Sequence, residues 1–244
     1  MRDFELAGDY YETEPDYDIS TDKKGLRFVP IGTKENAFQH LQTLSANEFK
    51  VYLVLQDESF QNPIERQYIT KQTRFIGLYD MPLKKIYQKA NITEKTGVKC
   101  ITRLKEAGWI EVFEHVNEFG NKNKYIKIKN YIEEGTYVIC NLDMDLKNII
   151  SRNPIVTKVY LYHCFMGSMH ARRGCRYQQS LKSIAQAIGR SKTHLQEITN
   201  ANEELCKLGI ITIRKEWINI GENMHKSKNT YIFNATNRIH KKRS

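Results

Sequence analysis

The sequence has no long hydrophobic run, which argues against a membrane-spanning protein. None of its apolar stretches approaches the roughly 20 residues that a transmembrane helix needs. The chain also begins without the basic and then apolar segments of an export signal. Its five cysteines are an odd number and do not predict a disulfide framework. We therefore expect a cytoplasmic protein that does not bind a membrane.

The sequence motifs of several enzyme classes are missing as well. There is no G-x-x-x-x-G-K-[S/T] phosphate loop, no H-E-x-x-H zinc motif and no G-x-S-x-G nucleophile motif. Residues 163–175 include two histidines and two cysteines, but these lack the paired C-x-x-C spacing of a zinc site. We expect no enzymatic activity, no cofactor and no bound metal.

Basic residues are abundant and unevenly distributed. The 244-residue chain has 38 lysines and arginines against 28 aspartates and glutamates, a net charge of +10. Residues 1–22 hold eight acids and one base, so residues 23–244 carry 37 bases and 20 acids, a net charge of +17. Such a body favours a polyanionic partner, because binding releases condensed counterions. From charge alone, a soluble basic protein without such a partner remains the alternative.

One arrangement of residues occurs twice in the chain. Residues 83–130 and 181–234 each predict a short helix, a tight turn, an amphipathic helix and a glycine, followed by a basic hairpin of two strands. Landmarks early in the two copies match with a shift of 98 residues, as Thr93 matches Ser191. Later landmarks match with a shift of 101, as Gly108 matches Gly209. This difference predicts three extra residues within the long helix of the second copy.

Helical spacing predicts which side chains of the long helices face the core. The expected core positions are Val98, Ile101 and Leu104 in the first copy and Leu195, Ile198 and Leu205 in the second. Thr93 and Ser191 are the expected N-caps.

The repeats also suggest a division into domains. We expect an acidic, unstructured tail at 1–27, a first domain at 28–135, a linker at 136–150, a second domain at 151–236 and a basic tail at 237–244. The first domain is predicted to contain a helix that begins at the capping box of residues 45–48, followed by a polar connector at 57–75. The second is predicted to begin with a helix at 154–167, followed by a basic loop at 169–177. The acidic tail fits an interaction arm, an intramolecular shield of the basic surface or a solubilising leader.

Both copies resemble the winged helix-turn-helix superfamily. Its members have a turn with Gly or Asn, a Ser or Thr that starts the recognition helix, and L-x-x-x-G plus an aliphatic residue before the wing. The matching positions are Asn91, Thr93, Leu104, Gly108 and Trp109 in the first copy, and Gly189, Ser191, Leu205, Gly209 and Ile210 in the second. Trp109 departs from the aliphatic pattern but remains apolar. The resemblance implies a mainly α fold with small β wings (α+β), in which two winged helix-turn-helix domains lie in tandem.

The resemblance also implies which residues contact DNA. In the first copy they are Thr93, Lys95, Thr96, Lys99 and Arg103 on the recognition helix, with Lys122 and Lys124 on the wing. In the second they are Arg190, Ser191, Lys192, Thr193, His194 and Gln196, with Lys226 and Lys228 on the wing. Basic side chains bond guanine edges or phosphates, and glutamine reads adenine. For any one of these residues, a solvated surface position is the simpler alternative.

Tandem winged helices on one chain of this size resemble the replication initiators of plasmids and phages. This implies a sequence-specific double-stranded DNA-binding protein that binds repeated origin sequences and recruits replication proteins such as a helicase or its loader. A transcriptional regulator that binds an operator through the same two domains is the first alternative, and a protein-interaction scaffold is the second. Either domain could also serve a homodimer, and we expect the second copy to be the one that serves a partner.

Overall fold

The protein combines helices with small antiparallel sheets. A computed structural model describes residues 27–61, 74–116, 120, 122–128, 137–140, 147–221 and 224–234. These residues have the mixed α+β composition that the sequence predicts. The chain forms two compact units, the first made of Met1–Pro30 with Asn47–Ser151 and the second of Ile31–Ala46 with Arg152–Ser244.

In the described part of the chain, the first unit combines three helices with a four-stranded sheet and a separate pair of strands. They are β1 (Arg27–Pro30), β2 (Phe60–Gln61), β3 (Arg74–Gly77), β4 (Ile110–Val116), β5 (Lys122–Ile128) and β6 (Tyr137–Cys140), with helices α2 (Ala46–Glu58), α3 (Leu83–Lys89) and α4 (Glu94–Glu106). The strands of the four-stranded antiparallel sheet have the order β2-β3-β5-β4, and β1 pairs separately with β6.

The second unit has the same core connectivity. It contains α1 (Gln39–Thr43), α5 (Pro154–Met169), a 3-10 turn (Ala171–Arg173), β7 (Arg176–Gln178), α6 (Leu181–Ala187), α7 (Leu195–Lys207), β8 (Ile211–Gly221) and β9 (Met224–Phe233). Its antiparallel order, β7-β9-β8, matches β3-β5-β4 of the first unit. In both units a helix leads to a short strand, then to two helices and a hairpin, and the short strand pairs with the hairpin's return strand.

The sequence analysis does not predict strands β3 and β7, which begin within the predicted connector at 57–75 and the predicted basic loop at 169–177. Each is only four or three residues long. Such a length is too short for a period-two pattern to be recognised. The partners that define them are far away in sequence: Arg74 pairs with Ile128, and Arg176 pairs with Ile232.

The boundary of the first domain differs from the sequence prediction, since Ile31–Ala46 groups with the second unit. The Phe38 ring lies against Tyr162 and Phe165, with centroid distances of 5.5 and 5.2 Å. Lys158 is buried, and its Nζ donates a hydrogen bond to the Leu44 carbonyl oxygen at 2.9 Å. Such contacts leave no local sequence pattern, because the two bonded residues are 114 positions apart.

The prediction that Val98 faces the core is wrong, since its side chain is 51% exposed. The buried stripe of α4 is formed by Gly97, Cys100, Ile101 and Leu104. One residue turns an α-helix by about 100°, which carries Val98 beyond the edge of this stripe. In α7, Ile198 and Leu205 are buried as predicted, while Leu195, the first residue of the helix, is only half-buried.

The three extra residues of the second copy lie in the turn and not in the helix. Helices α4 and α7 both have thirteen residues, and their buried positions match with a shift of 101. Thr93 caps α4 as predicted, because its side chain accepts a hydrogen bond from the Thr96 amide. Ser191 instead accepts from the Thr193 amide within the turn, at 3.3 Å. Serine makes such bonds in turns as well as at helix starts, so its sequence position did not distinguish them.

Left-handed residues occupy equivalent positions in the two turns. Asn91 has φ 53° and Gly189 has φ 71°, and these are the turn residues that the sequence indicated. Asparagine is among the few non-glycine residues that adopt this conformation readily. Glycine is also needed at 189 for space, since a Cβ there would lie 2.5 Å from the Gln42 carbonyl oxygen.

We predict that Gly97→Ala destabilises the first unit. A Cβ at Gly97 would overlap the ring of Tyr87 on α3. Overpacking of this kind costs about 1–3 kcal/mol, measurable by urea unfolding. At the equivalent positions of the second unit, Ala185 replaces Tyr87 and Ile198 replaces Gly97, and both are buried. The large and the small residue have therefore exchanged places. When Tyr87→Ala is added, the loss in free energy of unfolding of the double variant should therefore be smaller than the sum of the losses in the two single variants. Simple additivity would contradict the contact.

Candidate nucleic-acid interface

Helix α4 presents a basic face to solvent. Lys95 and Lys99 lie one turn apart, and both are exposed on the side opposite the buried stripe. Neither has an ion pair within the described part of the chain, whereas Arg103 pairs with Glu106 at 3.1 Å. The two lysines are therefore available to an anionic partner.

The start of α4 is fixed by its two threonines. The Thr93 Oγ1 accepts a hydrogen bond from the Thr96 amide at 3.4 Å, and the two hydroxyl oxygens are 3.0 Å apart. Thr93 is exposed and Thr96 is half-buried. Both residues thus have a structural role in holding the N-terminal turn, from which Lys95 projects.

The hairpin adds exposed lysines to the same unit. Lys122 and Lys124 alternate along β5 and share a face with Ile126 and Ile128, which are buried in the core. Lys124 pairs with Glu114 across the hairpin, at 3.5 Å. This pair is exposed at both ends, so it contributes little and leaves the lysine accessible.

Two further lysines, which the sequence analysis does not predict as DNA contacts, are exposed on α3. Lys84 and Lys85 lie in its first turn. In a helix-turn-helix the first helix crosses the nucleic-acid backbone, where lysines meet phosphates. The adjacent lysines in the polar part of the LKKIYQK segment were the available signal.

The predicted contacts of the second unit are placed differently from those of the first. Ser191, Lys192, Thr193 and His194 are exposed, but they lie in the longer turn ahead of α7 rather than on its face. Arg190 is in the same turn and pairs with Glu197 at 3.7 Å.

Of the residues predicted to contact DNA in the second copy, only Gln196 lies on the exposed face of α7. Its Nε2 donates a hydrogen bond to the Asn200 Oδ1 at 2.8 Å. Lys226 and Lys228 lie on β9, opposite Ile218 and Glu216; their side chains are outside the described part.

The exposed faces of α4 and α7 differ in charge. Helix α4 has four basic and two acidic residues, a net charge of +2, whereas α7 has one basic and three acidic residues, a net charge of −2. The positions equivalent to Lys95, Lys99 and Arg103 are Gln196, Asn200 and Glu204. A basic helical surface is therefore a property of α4 and not of α7.

A buried histidine on α5 anchors α7. The sequence analysis does not predict this role. His163 on α5 is completely buried, and its Nε2 donates to the Asn202 Oδ1 on α7 at 2.7 Å. Its Nδ1 accepts a hydrogen bond from the Tyr177 hydroxyl on β7. Burial lowers the pKa of His163 to about 4, although the bond to Asn202 partly opposes this shift. The imidazole is therefore neutral at pH 7 and joins three elements.

This network also gives a structural role to His163, one of the two histidines in residues 163–175. Both ring nitrogens of His163 are engaged with protein groups. Among the described residues, no three histidine, cysteine or acidic side chains are grouped so as to hold a metal ion. Cys164 and Cys175, from the same segment, are buried, and neither is in a disulfide within the described residues.

Comparisons with known proteins do not assign a family. No protein-family model matches the chain, and a search of the curated proteins found none with significant similarity. In the described part of the chain, no helix is long and apolar enough to cross a membrane. A function must therefore be inferred from the residues themselves.

Proposed function

We propose that the protein is a sequence-specific double-stranded DNA-binding protein with two tandem winged helix-turn-helix domains. The observation that carries this proposal is the pair of exposed lysines without ion pairs, Lys95 and Lys99, on the helix that follows a tight turn. In a helix-turn-helix, the N-terminal part of the second helix enters the major groove. Lysines in that position bond guanine O6 and N7 or the flanking phosphates.

The shared connectivity of the two units supports the domain assignment. Each unit places a short helix, a left-handed turn residue and a thirteen-residue helix before an antiparallel hairpin. In the first unit, Lys122 and Lys124 on the hairpin face the same side of the sheet as its core. We assign them to backbone phosphates, which position the protein without reading sequence.

We further propose that the protein initiates replication of a plasmid or phage by binding repeated origin sequences. Two units of the same connectivity on one chain suit a site with repeated elements. The exposed face of α7 has uncharged and acidic residues where α4 has basic ones. This difference supports different roles for the two units, in which the first unit reads DNA and the second also binds a replication protein or a second copy of the chain. A transcriptional regulator would use the same DNA contacts, so the arrangement of sites distinguishes the two.

Footprinting of the purified protein on DNA around its own gene tests this proposal. An initiator is expected to protect several tandem repeats, with an affinity that falls steeply as salt rises. A single protected operator, together with changed transcription and no origin activity, would indicate a regulator. The absence of a salt-dependent footprint would overturn DNA binding and leave the interaction scaffold.

The hairpin lysines carry a separate prediction. Replacing Lys122 with alanine should weaken binding to cognate and random DNA by the same factor. The slope of log affinity against log salt should fall by about 1, because one phosphate contact is lost. Affinities measured by fluorescence anisotropy between 50 and 200 mM salt, roughly the range in which such slopes are resolved, provide the check. A loss confined to cognate DNA would reassign Lys122 to base reading.

A further inference from the structure

The second unit contains a cleft of about 500 Å³ that three arginines line. Arg173 comes from the 3-10 turn, Arg176 from β7 and Arg214 from β8. All three side chains are exposed. The rest of the lining includes His170, Gln178 and Thr230, whose side chains offer imidazole, amide and hydroxyl groups. None of the described residues that line the cleft is acidic.

The fold brings these arginines together from distant parts of the sequence. Gln178, Thr230 and Arg214 are paired in register across the three strands, and the Gln178 Nε2 donates to the Thr230 Oγ1 at 3.4 Å. Arg176 lies two residues before Gln178 and so points to the same face of the sheet. Left-handed backbone at Gly174 and Cys175 then reverses the chain and places Arg173 beside the cleft.

Within the described part of the chain, no carboxylate neutralises the charges of the cleft. None of the three arginines forms an ion pair with a carboxylate in the described part of the chain, although several other surface cations do. Like charges around one cleft repel each other, and a bound anion relieves that repulsion. Guanidinium groups match phosphate oxygens with two parallel hydrogen bonds, which makes arginine the residue suited to phosphate recognition.

We propose that this arginine cleft binds a phosphate-bearing ligand through Arg173, Arg176 and Arg214. Its volume is within the range of about 300–1,000 Å³ that is usual for small-molecule sites, but a lining this polar suits a phosphorylated ligand and not an apolar one. A backbone phosphate of DNA and a free phosphorylated small molecule share this chemistry. The proposal does not rest on the DNA contacts assigned to α4.

Titration of the full-length protein with inorganic pyrophosphate by calorimetry tests the cleft. The wild type is expected to bind one equivalent, and Arg176→Ala combined with Arg214→Ala should weaken that binding at least about tenfold, since charge-assisted bonds are lost. Arg172→Ala is the matched control, because Arg172 is exposed in the same 3-10 turn but does not line the cleft. Unchanged far-UV circular dichroism would show that the variants fold.

Two outcomes would overturn the proposal. One is pyrophosphate binding that the double variant leaves unchanged, and the other is an equal loss in Arg172→Ala, which would indicate diffuse attraction to a basic surface.

If the natural occupant is a DNA phosphate, pyrophosphate should compete with DNA, and the double variant should also lose DNA affinity. If it is a free ligand, pyrophosphate should bind to the DNA complex as well. A variant in which Lys95 and Lys99 are both replaced by alanine should bind pyrophosphate normally. The test of the cleft can therefore fail independently of the test of the proposed function.

Discussion

Replacing Lys95 and Lys99 together with alanine is expected to weaken binding to the cognate DNA on the order of 100-fold, since each base contact contributes about 1–3 kcal/mol. Both side chains are exposed on α4 and have no ion pair within the described residues. Alanine is also the best helix former, so the helix should persist. Binding to random DNA is expected to fall much less, because base contacts discriminate between sequences while phosphate contacts do not.

Lys105→Ala is the matched control for this experiment. Lys105 is equally a lysine of α4 and is exposed, but it lies in the last turn of the helix. Base contacts come mainly from the N-terminal part of a recognition helix, so its loss should be smaller than that of Lys99→Ala. Anisotropy titrations with cognate and random duplexes at one salt concentration compare the variants. An equal loss on both duplexes would refute the assignment of Lys95 and Lys99 as base readers.

Acidification is expected to destabilise the second unit by about 3 kcal/mol between pH 6.5 and 4, through His163 alone. Burial holds the pKa of the folded residue at about 4, below its ordinary value of 6.5. The unfolded chain therefore takes up the proton first as the pH falls. The stability that the neutral imidazole confers is complete above pH 6.5 and is lost progressively as the pH falls towards 4.

The His163→Gln variant isolates this contribution. Glutamine offers both a donor and an acceptor for Tyr177 and Asn202 but does not titrate. The free energy of unfolding in urea, measured at several pH values, should decline less steeply for the variant than for the wild type over this range. His194→Gln, at an exposed histidine, is the control and should retain the wild-type decline. Parallel profiles for wild type and His163→Gln would contradict a buried neutral imidazole.

Much of the repeat could be predicted because its signals are local. The turn residues Asn91 and Gly189 and the cap at Thr93 depend on neighbours within a few positions. Helices α3, α4 and α6 likewise follow from apolar spacing within one segment. Where two local explanations competed, as for Ser191 at a turn or at a helix start, the sequence favoured the wrong one.

Other features depend on partners that a local pattern does not identify. Strand β7 exists because β9, more than fifty residues later, supplies its hydrogen bonds. The arginine cleft arises from residues of a turn and two strands, and none of them is unusual in its own segment. His163 was visible in the sequence as a titratable residue, but only its packing against Tyr177 and Asn202 gives it a role.

The sequence by itself determined that this is a basic α+β protein with one arrangement used twice, since charge, helical period and turn chemistry are properties of short stretches of chain. Tertiary structure decided that the two copies have helices of equal length, that the extra residues lengthen a turn, and that α4 rather than α7 has a basic helical face. It also decided that Ile31–Ala46 joins the second unit. Those outcomes depend on burial and pairing between residues far apart in the chain, which neither spacing nor composition encodes.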